Sequence, residues 1–358
     1  MRSASVTTEP RPATGDQVIT GAPDTTPDHL SRPARPRRRR WPRVLLALAL
    51  VVAGMIMGGV LFDGGAPVGH FRSADGHDAY LAAYDAALAE GPAVSEAVSV
   101  PTSAGDVHVL RYDATDPSAQ DADPLLLLPG TQSGAPMWVD NVPALSAERP
   151  VYVIDLLGQP GRSIPSRPIE THEDDARWLA EVVDSLPGEP VVMGHSLGGW
   201  IAMNLAVHEP DAADRVIVID PVQTFGDLSL AAVVRSLPAS VPWTPRSWRD
   251  DFASWTANDA PVEDEPVADM IEAGMQHYAL GAPAPARFSD KQLAAVDARV
   301  LVIMAGESRM HDAAAAGETA ERVLADGTVL TYDGASHAIT GEEPDRIARD
   351  VEAFLDQD

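Results

Sequence analysis

The sequence predicts an α/β protein whose main domain is a doubly wound, mainly parallel sheet of eight strands. Two observations lead to this fold class: short, almost continuously apolar runs recur along the chain, and helix-period stretches separate many of them. One long stretch, residues 222–297, is an exception to this alternation. Strands that are apolar on both faces are typical of parallel sheets, because crossover helices cover each face of such a sheet.

The chain begins with a basic, proline-rich tail. Residues 1–43 contain nine arginines, four acidic residues and seven prolines, with almost no large apolar side chain. Such a segment cannot bury enough surface to offset its chain entropy. We therefore expect residues 1–43 to be disordered.

An uncharged segment of 19 residues, 44–62, follows this tail. As a helix it would be roughly 28 Å long, close to the ~30 Å hydrocarbon core of a bilayer. Because arginines precede it and Asp63 follows it, the positive-inside rule keeps the tail in the cytoplasm and exports the rest. The segment predicts a single-pass membrane anchor, and the alternative is a signal peptide cut near Gly64–Ala66 to give a secreted protein. Residues 63–76 are predicted to be a spacer.

The main domain is predicted to span residues 77–358, beginning with a helix at Asp78–Leu88. The eight predicted strands are Ala97–Val100, Val107–Tyr112, Leu125–Leu128, Val151–Ile154, Val191–Met193, Val216–Ile219, Val300–Met304 and Val329–Tyr332. Further helices are predicted at Glu173–Ser185, Leu197–His208, Ala313–Ala325 and Asp345–Phe354. The stretch 222–297, which follows the sixth strand and has no clear strand, predicts an inserted helical lid whose apolar residues, including Trp243 and Trp248, would cover the site.

Composition excludes several kinds of chemistry. The chain has no cysteine, so it has no disulfide, no thiolate metal ligand and no cysteine nucleophile. Its formal net charge of −27 would repel phosphate, so we expect no nucleic-acid partner. No cluster of histidines and carboxylates is evident in the sequence, and we expect neither a metal nor another cofactor.

A nucleophile motif follows the fifth predicted strand. Residues 194–198 read GHSLG and lead into a helix of small residues, which is the strand–turn–helix context that G-x-S-x-G requires. The turn strains the serine backbone and raises Ser196 at the carboxyl edge of the sheet. The N–H of Leu197, at the start of the helix, would then point toward a developing oxyanion. Ser196 is the predicted nucleophile.

From Ala97 to Phe354 the chain resembles the α/β-hydrolase family. Besides the serine motif, Leu125–Trp138 looks like the family's oxyanion loop, although Pro129 replaces the usual histidine. Asp155–Ser163 is similar to the D-x-x-G-x-G-x-S turn with one residue inserted, and Gly334–Phe354 looks like the histidine loop and final helix. The resemblance implies hydrolysis of a small-molecule ester or acyl substrate through an acyl-enzyme, without a cofactor.

The same resemblance identifies the candidate base and the second oxyanion donor. His337 follows the last strand and comes after the serine in chain order, as the family requires. The N–H of Thr131, the residue after Gly130, would complete the oxyanion hole with Leu197. His195 is expected to pack or form a hydrogen bond within the turn, and His311 is expected at the surface.

The third member of the triad is less evident in the sequence. The family most often places its acid three residues after the glycine that follows the seventh strand, and that position is Arg309, which cannot orient an imidazolium. Asp220, at the end of the sixth strand, is the preferred substitute. Asp312 is the alternative acid, although it also suits the N-cap of the following helix. Glu307 is a third candidate.

Two other functional hypotheses remain open on the sequence. The same triad could support C–C bond hydrolysis, lactone opening, perhydrolysis or acyl transfer. A catalytically silent hydrolase fold used for binding is the alternative from another class, and the arginine at the usual acid position favours it. The leading prediction is a membrane-anchored, extracytoplasmic serine hydrolase of carboxylic esters.

Overall fold

The structure is a computed structural model that describes residues 67–262 and 265–357. The predicted tail 1–43, the predicted anchor 44–62 and the start of the spacer lie outside the described residues. Within the described ranges, no helix is both long enough and apolar enough to cross a membrane.

Strands and helices alternate along the described chain. The strands are β1 (His70–Phe71), β2 (Glu96–Pro101), β3 (Gly105–Tyr112), β4 (Leu125–Leu128), β5 (Val151–Ile154), β6 (Ile164–Pro165), β7 (Val191–His195), β8 (Arg215–Ile219), β9 (Tyr278–Ala279), β10 (Arg299–Ala305) and β11 (Gly327–Tyr332). The α-helices are α1 (Ala74–Leu88), α2 (Val142–Leu145), α3 (His172–Ser185), α4 (Leu197–His208), α5 (Leu230–Ala239), α6 (Arg246–Thr256), α7 (Pro266–His277), α8 (Asp290–Leu293), α9 (Ala313–Val323), α10 (Ile339–Glu342) and α11 (Pro344–Leu355).

The main sheet contains all eight predicted strands, in the order β11-β10-β8-β7-β4-β5-β3-β2. Neighbours from β11 to β5 run parallel, whereas β3 is antiparallel to both β5 and β2. The expectation of a mainly parallel sheet is confirmed. The count of eight was wrong by one, because β6 also pairs with β3. A strand of two residues is too short to show a hydrophobic period, so the sequence did not indicate it.

Side chains from the central strands alternate between two apolar layers. In β4, Leu126 packs with Val192 of β7 on one face, while Leu125 packs with Val191 on the other. Successive side chains of a strand point to opposite faces, so a run that is apolar at every position must be covered twice. Helices α3, α4 and α9 contribute to the first layer, and α1, α7 and α11 to the second.

Local capping sets where the helices begin. Helix α3 begins with a capping box in which Thr171 and Asp174 satisfy each other's backbone N–H groups. Helix α1 begins before the expected Asp78, because the Ser73 side chain accepts a hydrogen bond from the N–H of Gly76. The described part of the predicted spacer therefore contains β1 and the first turn of α1.

The insertion between β8 and β10 is mainly helical, as expected, and contains α5, α6, α7 and α8. It also contains β9, which corrects the expectation that no strand occurs there. This strand pairs antiparallel with β1, aligning His70 with Ala279. Helix α1 packs against α7 close to this pair. The pairing depends on residues more than 200 positions apart, which the sequence pattern could not indicate.

The carboxyl ends of the parallel strands meet at one edge of the sheet. Ser196 follows β7, Asp220 follows the adjacent β8, and His337 lies in the loop after β11. Because β7, β8, β10 and β11 are consecutive in the sheet, these loops face one another. This edge is where the sequence placed the candidate site.

Candidate active site

Ser196 lies on a strained turn between β7 and α4. Its backbone has φ of 54° and ψ of −114°, a conformation that costs free energy for a residue with a side chain. The flanking glycines make the turn possible. A Cβ on Gly194 would lie 2.2 Å from the Gly198 backbone, and a Cβ on Gly198 would lie 2.2 Å from the carbonyl oxygen of Leu128. The motif therefore has the strained geometry that the sequence predicted.

His337 is within hydrogen-bond distance of Ser196. The two atoms, His337 Nε2 and Ser196 Oγ, are 3.0 Å apart, and both residues are buried. The backbone N–H of His337 donates to the carbonyl of Thr256 in α6, at 3.2 Å, so the insertion contributes to holding this loop. Next to His337 in the same loop, the Ser336 hydroxyl donates a hydrogen bond to a carboxylate oxygen of Glu342 at 2.5 Å. The imidazole is thus placed to take a proton from the serine.

Asp220 is the carboxylate on the other side of the imidazole. Its Oδ2 lies 2.5 Å from His337 Nδ1, so Nδ1 carries the proton and Nε2 is free to accept one. Asp220 is completely buried and also accepts from the Ser308 hydroxyl at 2.6 Å and from the Ala305 N–H at 3.2 Å. Burial alone would raise the pKa of Asp220, but bonding to His311 and His337 holds that pKa well below its usual range. The carboxylate is therefore ionised.

The expectation that His311 lies at the surface was wrong. It is 4% exposed, and its Nε2 lies 3.1 Å from Asp220 Oδ1. The loop after β10 folds back over the end of β8, which buries His311 beside the acid. Arg309, in the same loop, points outward and forms a two-contact ion pair with Asp259, at 2.8 Å for each contact.

The other candidate acids lie away from His337. Asp312 is exposed and is the N-cap of α9, where its Oδ1 accepts from the N–H of Ala315 at 3.1 Å. Glu307 is also exposed. Of the three carboxylates proposed from the sequence, the structure brings only Asp220 to the imidazole.

His195 forms a hydrogen bond, but with the loop of His337 rather than within its own turn as expected. Its Nε2 donates to the carbonyl oxygen of His337 at 2.9 Å, and the two rings are 4.8 Å apart. Burial, followed by repulsion from His337, lowers the pKa of His195 to about 3. The ring is therefore neutral at physiological pH, and it helps to position the backbone of the candidate base.

The two predicted oxyanion donors lie beside Ser196. Leu197 is the first residue of α4, so its N–H has no acceptor within the helix. Thr131 lines the same cavity as Ser196 and Leu197. Gln159 holds the loop after Gly130 in place, because its Oε1 accepts from the N–H of Gln132 at 3.0 Å.

A largely apolar cavity of about 320 Å³ opens above these groups. This volume is at the lower end of the range for small-molecule sites, roughly 300–1,000 Å³. The insertion contributes more than half of the lining residues. Those it supplies are Val222, Leu228, Ala232, Ser236, Ala239, Ser240, Phe252, Met275, Leu280 and Ala282–Pro285.

Three polar residues near the site were missed by sequence reasoning. Ser308 and His311 both contact Asp220. The sequence indicated them only through their position in the same loop as Arg309, where the family usually places its acid. Asp175 lines the cavity. The sequence could have indicated it as an acidic residue on the apolar face of α3, three residues before Trp178. Across residues 67–262 and 265–357, no group of three or more histidine and carboxylate side chains could hold a metal ion.

Comparisons with known proteins identify relatives of this chain in sequence and in structure. Residues 125–350 match the profile of the Alpha/beta hydrolase family. Carboxylesterase YbfK of Bacillus subtilis (strain 168) is 28% identical over 284 residues, which are 77% of this chain and 93% of that relative. The uncharacterized carboxylesterase nap of the same organism is 26% identical over 284 residues, 77% of this chain and 92% of the relative. The crystal structure of carboxylesterase CesB (YbfK) from Bacillus subtilis has a TM-score of 0.71 at 25% identity, covering 79% of this chain and 99% of that one.

Proposed function

Because this chain belongs to the alpha/beta hydrolase family, we propose that it hydrolyses carboxylic esters through an acyl-enzyme formed on Ser196, at the outer side of a cell membrane. The single observation that carries the chemistry is the chain of hydrogen bonds from Ser196 Oγ to His337 and on to Asp220, at 3.0 and 2.5 Å. The carboxylesterase relatives support esters as the substrate class.

Acylation begins with attack by Ser196 Oγ on the ester carbonyl carbon. His337 Nε2 accepts the hydroxyl proton as the new C–O bond forms, and ionised Asp220 stabilises the resulting imidazolium. The N–H groups of Leu197 and Thr131 hold the negative oxygen of the tetrahedral intermediate. The ester C–O bond then breaks, and the alcohol leaves with the proton from Nε2.

Deacylation repeats these steps with water. His337 takes a proton from the water as it attacks the acyl carbon, and the same two N–H groups hold the second oxyanion. The bond to Ser196 breaks, its oxygen recovers the proton from Nε2, and the carboxylic acid departs. Each residue returns to its starting protonation state, so the cycle needs no cofactor.

The insertion acts as the substrate-selecting cover of this site. It provides much of the apolar lining of the cavity, and Thr256 bonds the backbone of His337. Apolar walls favour an ester with an uncharged hydrocarbon portion next to the reacting carbonyl, because burial of that portion is favourable. A lid built on α5, α6 and α7 would also exclude water during acylation.

The proposed location of the hydrolase domain, outside the cytoplasm, is inferred from the N-terminal sequence. The uncharged residues 44–62 follow an arginine-rich tail, which is the pattern of a single-pass anchor with the tail in the cytoplasm. The hydrolase domain would then be held outside the cytoplasm, close to the membrane from which it projects.

The function is tested by labelling the detergent-solubilised full chain with a fluorophosphonate and reading the intact mass. We expect one adduct on the parent protein and none on Ser196→Ala. Ser146→Ala, which removes a buried serine outside the site, should label like the parent. A folded parent that takes no label and hydrolyses no ester would overturn the proposal in favour of a binding role.

A further inference from the structure

The cavity above Ser196 is lined by one carboxyl-bearing residue that the mechanism does not use, Asp175. Asp175 lies in the first turn of α3 and is only 2% exposed, yet it lines the cavity together with Ser196. Among the residues that line this cavity in the described chain, it is the one with an ionisable side chain. All of the other lining side chains are apolar, hydroxyl or amide groups.

The hydrogen bonding of Asp175 is incomplete. The indole N–H of Trp178 donates to Oδ1 at 3.0 Å. Oδ2 has no hydrogen-bond partner among the described residues, although an ionised carboxylate can accept about four hydrogen bonds. Oδ2 does not belong to the fully enclosed unpartnered polar atoms of the described chain, so water or a ligand can reach it. A largely buried carboxylate oxygen that keeps such access is open to a donor from a bound molecule.

A second buried carboxylate shows what a purely structural role looks like in this fold. Asp155 is completely buried, and both of its oxygens are satisfied. Its Oδ1 accepts from the N–H of Ala135 at 2.7 Å, and its Oδ2 accepts from the N–H of Arg162 at 2.8 Å and from the Tyr84 hydroxyl at 3.2 Å. Asp175, by contrast, has a donor among the described residues on Oδ1 alone, and it is a residue that lines the substrate cavity.

The charges around Asp175 leave its negative charge largely uncompensated. No lysine or arginine of the described chain forms an ion pair with it, while Asp174 is a further negative neighbour. His172, one turn earlier, favours the ionised form of Asp175, and its Nε2 is 3.1 Å from the carbonyl of Ala284. The formal charge of −27 on the whole chain adds to the attraction for cations.

We propose that Asp175 is a specificity-determining residue that binds a protonated amine on the acyl or alcohol portion of the ester. The inference rests on the proposed function, because it assigns a substrate class to the same cavity. The ammonium group would donate a charge-assisted hydrogen bond to Oδ2, while the hydrocarbon between it and the ester fills the apolar part of the cavity. The substrate is thus an amino ester rather than a plain fatty ester.

The protonation of Asp175 agrees with this role. Burial raises its pKa to about 6, with a further increase from Asp174, and the Trp178 bond and His172 oppose that increase. At pH 8 the carboxyl is therefore ionised, and a primary amine is protonated. The carboxylate and the ammonium group therefore coexist at pH 8.

The first test compares esters that differ only in an ammonium group and a methyl group of similar size. The acyl pair is 4-nitrophenyl 6-aminohexanoate and 4-nitrophenyl heptanoate, and the alcohol pair is 3-aminopropyl butyrate and butyl butyrate. At pH 8 we expect the parent to favour the cationic member of at least one pair by about tenfold in kcat/KM. Asp175→Asn should lose this preference, whereas Asp184→Asn, at an exposed position of the same helix, should keep it.

The readout is the ratio of kcat/KM for the cationic ester to kcat/KM for its uncharged partner. A general loss of activity in a variant lowers both values equally and leaves this ratio unchanged. A parent that hydrolyses both members equally, or an Asp175→Asn protein with the parent's preference, would overturn the inference while leaving the esterase proposal intact. Failure to hydrolyse any member would instead count against the esterase proposal.

A binding measurement tests the inference without turnover. Calorimetric titration of Ser196→Ala with hexylammonium ion should show binding at least tenfold tighter than with 1-hexanol, and the additional Asp175→Asn change should remove that difference. Equal affinities for the cation and the alcohol would contradict a cation site at Asp175.

Discussion

Asp220 and His337 are 117 positions apart in the sequence, and their side chains are joined by a hydrogen bond of 2.5 Å. The acid reaches the imidazole from the end of β8, whereas Arg309, at the position the family usually uses, turns outward to Asp259. Since β8 and β10 are adjacent, the loop after β10 still contributes, through Ser308 and His311 on the Asp220 carboxylate. In place of the acid, that loop supplies the donating hydroxyl of Ser308 and the neighbouring imidazole of His311.

Replacing the acid should abolish most of the activity without unfolding the protein. We expect Asp220→Asn to lower kcat about 10⁴-fold, because an amide can neither select the productive imidazole tautomer nor stabilise the imidazolium. The measurement is kcat on a 4-nitrophenyl ester, with circular dichroism to show that the fold is retained.

Two matched variants separate Asp220 from the other positions considered for the acid. Arg309→Ala should keep the parental kcat, because its ion pair is at the surface. Asp312→Ala should also keep kcat but cost about 1 kcal/mol of folding free energy, since it removes the N-cap of α9. A large loss of kcat in either variant, with Asp220→Asn active, would show that the acid is misassigned.

Two glycines should respond in opposite ways to the same substitution. Gly198→Ala should lose activity and be strongly destabilised, because its Cβ would sit 2.2 Å from the carbonyl oxygen of Leu128. Gly317, within α9, has space for a methyl group, with Val329 Cγ1 at 3.7 Å. Gly317→Ala should therefore raise the unfolding free energy by about 0.5–1 kcal/mol. Chemical denaturation of both variants checks the pair, and equal effects would contradict the geometry of the turn.

Asp175 should make stability depend on pH. Its folded-state pKa of about 6 lies above its ordinary value of 3.8, so the folded protein holds this proton more tightly than the unfolded chain. The associated stability is present below pH 3.8 and is lost as pH rises through 6, and the loss amounts to about 3 kcal/mol at most.

Asp175→Asn has no carboxyl group to ionise, and its side-chain oxygen can still accept from Trp178. We therefore expect the variant to match the parent near pH 4 and to be more stable than the parent at pH 8. Urea titrations at both pH values measure the difference, and an equal or lower stability of the variant at pH 8 would contradict the raised pKa.

The proposed anchor at residues 44–62 leads to a prediction that does not depend on catalysis. The full chain, expressed in a bacterium, should stay in the membrane fraction after an alkaline carbonate wash, and a chain without residues 1–62 should not. Ala53→Arg, which places a charge mid-segment at a cost of roughly 2.5–3.5 kcal/mol, should weaken membrane retention, whereas Ala53→Leu should not. A soluble product whose intact mass corresponds to a chain beginning near Ala66 would instead show cleavage of a signal peptide.

The positions of the eight longer strands, the turn at Ser196 and the approximate bounds of α1, α3, α4, α9 and α11 were readable from the sequence. These features depend on local signals, namely apolar runs, glycines where a side chain would clash, and caps such as Thr171, which the chain carries within a few residues. The two-residue strands β1, β6 and β9 were not readable, because their pairing depends on distant partners.

Only the tertiary structure decided which carboxylate meets His337. Asp220, Asp312 and Glu307 all follow strand ends, and a local pattern cannot say which loop folds over which. The burial of His311 and the available oxygen of Asp175 were decided in the same way, since each depends on packing between elements far apart in the chain. Local sequence determined the strands and the serine turn, whereas the partners of His337 and the chemistry of the cavity wall depend on long-range packing.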